Sequence, residues 1–400
     1  MKAGWLTKPL GDACDWQRGL TYTKTDEVDV SENIVLRATN IDLATNLLDL
    51  GELKYINEKV IVPDSKKVKI GSLIICTASG SKRHLGKVAH IDDDYGYAFG
   101  GFMGMLTPKN ELNSKFLFHL MTSPAYKDFI AALSDGANIN NLKFDDLRQF
   151  VIPVPPLPEQ QRIVTLLDEA FDGIASAKAN AEKNLQNARA IFDSHLESVF
   201  KQRGVDWVDT TIGDSCTLKS GTTVPVSIEK PSGDIPYVKV AEMTLPDNQD
   251  GITTSIRFLD RPDVKPGWLI PKGAVIFPKR GGAILTNKKR LALVDMCADL
   301  NIMSVIPSEN ITPEFLYFYF LTVNMRKLGT GSSIPQINNY DIAPLEISFP
   351  KSLMKQAEIA DSIRSLESEC QALESLYQQK LIALDELKKS LLHRAFNGEL

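Results

Sequence analysis

The chain repeats itself, since much of its first half is matched in the same order by its second half. Trp5 and Trp207 lie 202 positions apart, and at the same offset Leu10-Gly11-Asp12 faces Ile212-Gly213-Asp214. The offset drifts to 195 near the end of each globular part, as expected where loops differ in length. Matches in one order with small drifts indicate a duplication. The chain must therefore fold into two similar bodies, whether or not the two act together.

Each repeat contains patterns typical of short strands followed by a helical stretch. Apolar, β-branched runs bounded by glycine and proline predict strands within 68–78 and 267–279. Helical stretches are expected at 114–132 and 312–327, the second with Thr312 as its cap and Pro313 in its first turn. Each half is therefore predicted to be an α+β domain with a twisted sheet.

Long proline-free segments follow both domains. From 159 to 202 and from 353 to 396, apolar residues recur at alternating steps of three and four, the period of a coiled coil. Each helix would be about 65 Å long, and a helix of this length with one apolar stripe needs a partner. The two helices of this chain are expected to pair with each other in antiparallel orientation.

The order of elements is nearly circular. Joining Leu400 to Met1 would place Trp5 nine residues after Phe396, much as Trp207 follows Phe200 by seven. We therefore predict a pseudo-twofold internal repeat with a first domain at 1–157, a central spacer helix at 158–203, a second domain at 204–350 and a C-terminal spacer helix at 351–400. Such an arrangement suggests a target with two half-sites.

Composition and sequence pattern argue against a membrane-spanning protein and against a secreted, disulfide-linked one. The hydrophobic fraction is 43% and the charged fraction 24%, as in soluble globular proteins. No run approaches the roughly 18 apolar residues of a membrane span, no signal peptide follows Met1, and five cysteines lack CxxC spacing. These features predict a cytoplasmic protein with reduced thiols. With a net charge of −5, a nucleic-acid binder would have to concentrate its basic residues locally.

Three segments carry a resemblance to a known family. They are the paired openings around Trp5 and Trp207, the junction Pro155-Pro156-Leu157-Pro158-Glu159-Gln160-Gln161, and the ending Phe396-Asn397-Gly398-Glu399-Leu400. Together they resemble the specificity subunit of type I restriction-modification systems over the whole chain. The second junction, Phe349-Pro350-Lys351-Ser352-Leu353-Met354-Lys355-Gln356, is a degraded copy of the first.

The resemblance implies a function and a set of partners. Two target recognition domains would each read one half of a split, asymmetric sequence in double-stranded DNA, and the helical spacer would set the gap. Two modification subunits would bind S-adenosylmethionine and methylate adenine, and restriction subunits would hydrolyse ATP. We expect these cofactors, with Mg²⁺, on the partner subunits and none in this chain.

Basic residues beside glycines form the first group of candidate DNA contacts. They follow the predicted strands at equivalent places in both repeats, where flexible backbone and cations suit contacts with phosphates and base edges. An ordinary solvated hairpin tip is the alternative reading. The residues are Lys82 and Arg83 in the first repeat, and Lys279, Arg280, Lys288, Lys289 and Arg290 in the second.

Amide-rich loops and two isolated cations complete the candidates. Asn and Gln can bond adenine through two hydrogen bonds, although they are also common turn formers. The amides are Asn138 and Asn140 in the first repeat, and Gln336 and Asn338 in the second. Arg37 and Lys239 occupy matching sites after short predicted strands.

Enzymatic motifs are missing from the sequence. Phe99-Gly100-Gly101-Phe102-Met103-Gly104 lacks the strand and helix context of a cofactor loop, so a tight turn is predicted. There is no GxxxxGK[ST] loop, no Asn/Asp-Pro-Pro-aromatic methyltransferase motif, and the histidines do not cluster with acids or cysteines. We predict a non-catalytic subunit. The alternatives are a coiled-coil protein-binding adaptor without DNA specificity and a recognition module for a fused methylase-nuclease.

Overall fold

The computed structural model describes residues 4–134, 141–328 and 335–400. The chain divides into two compact units. The first unit comprises residues 1–182 and 379–400, and the second unit comprises residues 183–378. The ending of the chain thus belongs with its beginning, as the near-circular repeat predicts.

The described residues of the first unit form three small sheets. β1 pairs with β10, and β2-β9-β6-β7 form a four-stranded antiparallel sheet. β3-β5-β4-β8 form a mixed four-stranded sheet, in which β4 and β8 are parallel and the other pairs are antiparallel. The elements are β1 Leu6–Pro9, α1 Leu10–Ala13, β2 Cys14–Arg18, β3 Glu27–Val28, β4 Asn33–Leu36, β5 Lys54–Ile56, β6 Leu73–Cys76, β7 Val88–His90, β8 Ala98–Phe99, β9 Met103–Pro108, α2 Ser114–Leu120, α3 Pro124–Ser134, α4 Phe144–Leu147, β10 Val151–Val154 and α5 Leu157–Lys201.

The second unit repeats this topology, except that the sheet containing β13 has three described strands where its counterpart in the first unit has four. β11 pairs with β19, the order β12-β18-β15-β16 matches the sheet β2-β9-β6-β7, and β13 pairs antiparallel with β14 and parallel with β17. The elements are β11 Trp207–Thr211, α6 Ile212–Ser215, β12 Cys216–Ser220, β13 Ile235–Val238, β14 Phe258–Leu259, β15 Val275–Pro278, β16 Arg290–Leu291, β17 Cys297–Ala298, β18 Ile302–Pro307, α7 Pro313–Thr322, α8 Asn339–Ile342, β19 Glu346–Pro350 and α9 Leu353–Asn397. The predicted α+β class and duplication are confirmed.

Several predicted elements are shorter in the structure. The strands expected within 68–78 and 267–279 are confined to β6 and β15, because Gly71 and Gly273 adopt φ of +75° and +91° and turn the chain before each strand. The first helical stretch is divided into α2 and α3, and α3 starts at Pro124, whose ring suits a first turn. Thr312 occupies the N-cap of α7, but its buried hydroxyl has no partner among the described residues.

Two equivalent glycines fix the approach of backbone segments in the two units. A Cβ on Gly19 would lie 2.0 Å from the carbonyl oxygen of Gly100, and a Cβ on Gly221 would lie 2.1 Å from that of Asp299. Real side chains cannot approach a backbone oxygen so closely, so only glycine fits. Both repeats therefore have glycine at this position because of packing. Gly19 lies against the turn that precedes β9, and Gly221 lies against the turn that precedes β18.

In the first unit, the beginning of α5 packs antiparallel to the end of α9. Arg162 donates to the carbonyl of Leu400 at 2.7 Å, and further along Lys178 forms an ion pair with Asp385. As residue numbers rise along α5, their partners' numbers fall. Buried residues of both helices, including Leu167 and Leu392, join the core of this unit.

The second unit contains the other segments of the same two helices, again in antiparallel contact. Arg189 Nε lies 2.8 Å from Glu374 Oε2, and Leu196 shares a buried cluster with Ile363. The predicted pairing of the two long helices is thus confirmed. It lets each helix bury the apolar stripe that would otherwise face water.

Equivalent aromatic contacts join a helix end to each globular core. The ring of Phe396, near the end of α9, lies 5.2 Å from that of Phe116 in an edge-on contact. In the second unit, Phe200 at the end of α5 lies 5.1 Å from Phe315 in the same geometry. Such pairs add about 0.5–1.5 kcal/mol beyond their buried area. The near-circular order of elements in the sequence thus corresponds to an equivalent contact between a helix end and the core in each unit.

A buried glutamine explains the junction motif at the start of each long helix. Gln160 accepts from the backbone N–H of Asn113 at 2.7 Å and donates to the carbonyls of Glu111 and Pro155 at 2.8 and 2.7 Å. Its side chain is fully buried. Because the amide satisfies one donor and two acceptors at once, it fixes the beginning of α5 against the domain.

Gln356 repeats this arrangement at the start of α9. It accepts from the N–H of Thr312 at 2.8 Å and donates to the carbonyls of Asn310 and Pro350, both at 2.8 Å. The second junction looks degraded in sequence, yet it keeps the residue that makes these bonds. The motif is therefore structural in both repeats.

The five cysteines are free thiols. Burial raises the pKa of Cys76 and Cys297 to about 11 and that of Cys14 and Cys216 to about 12, which makes them unreactive. In the described ranges, no group of three or more His, Cys, Asp or Glu side chains is placed to hold a metal ion. None of the helices described is both long and apolar enough to cross a bilayer.

Candidate nucleic-acid interface

Three segments of the second unit meet where β15 ends. The N–H of Lys279 donates to the carbonyl of Asn301 at 2.8 Å, and the N–H of Ile337 donates to the carbonyl of Lys279 at 2.8 Å. A β-bridge between Arg280 and Gln336 continues this pairing. We call the residues Lys279, Arg280, Asn301, Gln336 and Asn338 the second strand-end cluster.

The first unit has the same backbone arrangement where β6 ends. Thr77 donates to the carbonyl of Phe102 at 2.9 Å, Leu142 donates to that of Thr77 at 2.7 Å, and Ala78 bridges to Asn141. We call Thr77, Ala78, Phe102 and Asn141 the first strand-end cluster. By these matching bonds within each unit, Ala78 corresponds to Arg280, Asn141 to Gln336 and Phe102 to Asn301. The framework is common to both units, whereas the side chains on it differ.

Polar side chains of the second strand-end cluster form a chain of hydrogen bonds. Arg280 Nη2 donates to Gln336 Oε1 at 3.1 Å, Gln336 Nε2 donates to Asn338 Oδ1 at 2.7 Å, and Asn338 Nδ2 lies 2.8 Å from the hydroxyl of Tyr340. Arg280 is exposed, and the side chain of Tyr340 is 72% exposed. Two groups of residues that the sequence predicts separately, the basic one and the amide one, thus meet in one place.

The second strand-end cluster presents groups suited to base edges. A guanidinium bonds the O6 and N7 of guanine through two N–H groups, and an amide bonds the N6 and N7 of adenine. Arg280 uses one nitrogen for Gln336, which orients its planar head. Beside it, Lys279 Nζ donates to Ser220 Oγ at 2.7 Å, and burial, followed by the charge of Arg280, lowers the pKa of this lysine.

In the run Lys288-Lys289-Arg290, the side chains of Lys289 and Arg290 make hydrogen bonds within the second unit. Lys289 is only 3% exposed, and its ammonium donates to the carbonyl of Val323 at 2.6 Å. Burial lowers the pKa of Lys289 to about 8, with a further contribution from Arg326. Arg290 Nε donates to the carbonyl of Asn248 at 2.9 Å. This placement argues against a DNA contact by Lys289, because its ammonium group is buried and already bonded to a backbone carbonyl.

Lys288, in the same run, is half-buried. Burial, and then the neighbouring charge of Arg290, lowers the pKa of Lys288. Its role as a DNA contact stays a prediction.

Arg37 and Lys239 occupy equivalent sites but have different surroundings. Lys239 Nζ lies 3.0 Å from Glu229 Oε1 and 5.3 Å from the ring centre of Tyr237, so an internal carboxylate neutralises its charge. Arg37 is half-buried, and its Nε has no hydrogen-bond partner among the described residues. Of the two, Arg37 is the cation whose charge no carboxylate of the described residues neutralises, and its role as a DNA contact stays a prediction.

The remaining candidates lie in the connection between β6 and β7 or outside the described residues. Lys82 and Arg83 form part of a short 3-10 turn, and both side chains are exposed, as a contact with phosphates requires. Asn138 and Asn140 fall outside the residues that the structure describes. Their neighbour Asn141 is exposed and bridges to Ala78 in the first strand-end cluster.

Sequence reasoning missed two exposed aromatic residues at these clusters. Phe102, in the first cluster, lies in the turn predicted from its neighbouring glycines, and Tyr340 adjoins the amides of the second. Both side chains are 72% exposed. Alignment of the repeats could have signalled Phe102, because a large apolar residue there stands opposite the polar Asn301.

A family model matches both repeats of this chain. The model, described as the type I restriction modification DNA specificity domain, matches residues 2–186 and again residues 204–382. The type I restriction enzyme EcoKI specificity subunit of Escherichia coli (strain K12) is 26% identical over 429 residues, covering 99% of this chain and 89% of that protein. The StySPI specificity subunit of Salmonella potsdam is 26% identical over 423 residues, with the same coverage.

Solved structures share the fold along the whole chain. A chain from a structure on complex assembly and conformational transition of the type I R-M system superimposes with a TM-score of 0.82 at 18% identity, covering 100% of this chain and 99% of the other. The HsdS subunit from Thermoanaerobacter tengcongensis gives a TM-score of 0.67 at 17% identity, with coverage of 100% and 98%. At such identities these structures support the architecture, and the residue chemistry must be argued from this chain.

Proposed function

Because the chain belongs to the family of type I restriction-modification DNA specificity subunits, we propose that its two repeats read the two halves of a split, asymmetric DNA sequence. The observation that carries this proposal is the contrast between the strand-end clusters. Equivalent backbone positions hold Ala78 in one unit and Arg280 in the other, and likewise Phe102 and Asn301. A common framework with different side chains, of which Arg280 and Phe102 are exposed, suits a protein that recognises two unlike half-sites.

In the second half-site, we propose that Arg280 and Gln336 contact base edges in the major groove. The exposed guanidinium would bond guanine, and its hydrogen bond to Gln336 would fix its orientation. Lys279, beside Arg280, would contact the backbone, since phosphate contacts position a protein without carrying sequence information. In the first unit, the exposed turn with Lys82 and Arg83 would do the same.

We propose that the chemistry of the system lies in partner subunits. This chain would scaffold two modification subunits, which bind S-adenosylmethionine and methylate adenine, and restriction subunits, which use ATP and Mg²⁺. The chain itself would bind no cofactor and catalyse no reaction. The antiparallel helix segments of each unit offer exposed outer faces for such partners, with Leu376 and Leu387 among the exposed apolar residues.

Binding selection from a random duplex library tests the function as a whole. The chain, assembled with its modification subunits, should enrich duplexes that contain two short fixed sequences separated by a gap of constant length. Methylated adenines mapped in cells that carry the complex should fall within the same motif. Enrichment of no motif, together with retained binding of the partner proteins, would instead support the adaptor function without DNA specificity.

Replacing Arg280 tests the proposed contact in the second half-site. Arg280→Ala should weaken binding or relax one position of that half-site by roughly 1–3 kcal/mol and leave the first half-site unchanged. Arg280→Lys keeps the charge but loses the two-bond geometry, so it should restore part of the affinity without the base preference. Fluorescence anisotropy with duplexes carrying each base in turn measures both effects.

A matched control separates this contact from the effect of net charge. Arg261 is exposed in the same unit, in a short 3-10 turn outside the second strand-end cluster. Arg261→Ala removes the same charge and should leave base preference at every position intact. An equal loss of affinity for all bases in Arg280→Ala, matching Arg261→Ala, would show that Arg280 does not read a base.

A further inference from the structure

The first unit contains an open cleft beside its strand-end cluster. Its volume is about 570 Å³. The walls come from four separate parts of the chain, one of which directly follows β6. Lining residues include Tyr22, Arg37, Ala78, Ser79, Gly101 and Phe102.

Phe102 is held rigidly at the rim of this cleft. Its carbonyl accepts from the backbone N–H groups of Thr77 and Ala78 at 2.9 and 3.1 Å and from the Thr77 hydroxyl at 2.9 Å. The adjoining turn is fixed by the close approach of Gly19 to Gly100. The backbone of Phe102 is therefore firmly placed, while the residue as a whole is 72% exposed.

An exposed phenylalanine on a fixed backbone is suited to an apolar contact. Single exposed apolar side chains are common on protein surfaces, so exposure alone would mean little. Here, however, the equivalent position in the second unit holds Asn301, whose amide is bonded to Asp299 at 2.6 Å. At the position of Arg280, the first unit has Ala78, which offers no side-chain donor. The first strand-end cluster is thus less polar than the second.

The charges around the cleft favour an anionic ligand. Arg37 and Lys24 both line it, and the buried Nε of Arg37 has no hydrogen-bond partner among the described residues. The carboxylate that also lines it, Glu27, is paired with Lys54 at 2.5 Å. The phosphates of DNA would meet cations around an apolar centre.

We propose that Phe102 contacts the C5-methyl group of a thymine in the first half-site. A phenyl ring has no hydrogen-bonding groups, and the thymine methyl is the apolar group that the major groove presents at base-pair edges. Arg37, at the same cleft, binds the adjacent backbone phosphate. This inference rests on the proposed function and adds the chemical basis of recognition for one half-site, through apolar contact in place of the guanidinium and amides of the second unit.

Deoxyuridine substitution tests this contact, because uracil differs from thymine only by the methyl group. The chain is assembled with its modification subunits, and each thymine of the first half-site is replaced in turn within a duplex that carries the full target. At one position, loss of the methyl should weaken binding of the unaltered protein roughly fourfold. Phe102→Ala should bind the thymine duplex more weakly by at least that factor and should not distinguish thymine from deoxyuridine.

Two controls accompany the measurement. Phe102→Leu keeps an apolar side chain and should retain most of the methyl dependence, which separates a lost contact from a disturbed fold. Deoxyuridine in the second half-site should affect Phe102→Ala and the unaltered protein equally. Thermal unfolding of both variants is followed in parallel, since the exposed ring contributes little to the core.

The possible outcomes are distinct. A methyl dependence that persists in Phe102→Ala would overturn the inference, as would a first half-site that contains no thymine in either strand or shows no effect of any deoxyuridine. In each of these cases the complex still recognises its split target, so the proposed function stands. A complex that selects no split sequence overturns the proposed function and this inference with it.

Discussion

Replacing Gln160 by leucine should lower the free energy of unfolding of the first unit by roughly 3 kcal/mol. The substitution removes three hydrogen bonds that a fully buried amide makes to Glu111, Asn113 and Pro155. It also leaves one N–H and two carbonyls without their partner. Leaving such groups unsatisfied costs more than the net value of the hydrogen bonds themselves, because they have already lost their contact with water.

Hydrogen exchange gives the most direct measurement of this effect. The amide proton of Asn113, protected by Gln160 in the intact protein, should exchange much faster in Gln160→Leu, and urea unfolding should begin at a lower concentration. Gln356→Leu should produce the same change at the amide of Thr312 in the second unit. The neighbouring Gln161 is exposed and makes a long 3.3 Å bond to Asn113.

Gln161→Leu is therefore the matched control for Gln160→Leu, and it should change stability by less than about 0.5 kcal/mol. Equal protection of the Asn113 amide in Gln160→Leu and in the unaltered protein would contradict the role assigned to the junction motif.

If the two repeats read two half-sites as proposed, lengthening both long helices by four residues should lengthen the gap between these half-sites by one base pair. The insertions are placed after Ala179 in α5 and before Leu384 in α9, next to the ion pair between Lys178 and Asp385, so that the pairing on either side is kept. Four residues add about 6 Å and turn the helix by about 40° beyond one full turn. One base pair rises 3.4 Å and twists by about 34°.

The added rotation of the helices, and not their added length, determines the expected change of one base pair. Two additional base pairs would match the length but would turn the second half-site by about 68°, which would present a different face of the DNA. One additional base pair matches the rotation and leaves about 2.6 Å to be taken up by bending of protein or DNA. Mapping of methylated adenines in cells that carry the lengthened chain should show both half-sites unchanged and the gap one base pair longer.

A four-residue insertion elsewhere controls for the change in chain length. Between Ser232 and Gly233 the chain is exposed and lies outside both long helices, so an insertion there should leave the motif and its gap unaltered. An unchanged gap in the lengthened-helix variant would mean that the two helices do not set the spacing.

The sequence alone determined the duplication, the α+β class and the two long helices. Repeated residues such as Gly19 and Gly221 remain at fixed offsets because each occupies the same constrained place in its own unit. Helical periodicity is a local property, because apolar residues recur at steps of three and four. A helix can therefore be predicted without knowing which distant segments it packs against. The junction motif was visible in the same way, although its purpose was not.

Only the tertiary structure decided how the candidate residues are used. Arg280 bonds Gln336, which is 56 positions away in the sequence, and so belongs to an exposed cluster. Lys289 bonds the carbonyl of Val323, 34 positions away, and is buried. Sequence distance carries no information about such encounters, since they depend on how strands and turns pack. The exposure of Phe102 has the same origin, because Thr77, 25 positions away, holds its carbonyl while its ring stays outside the core.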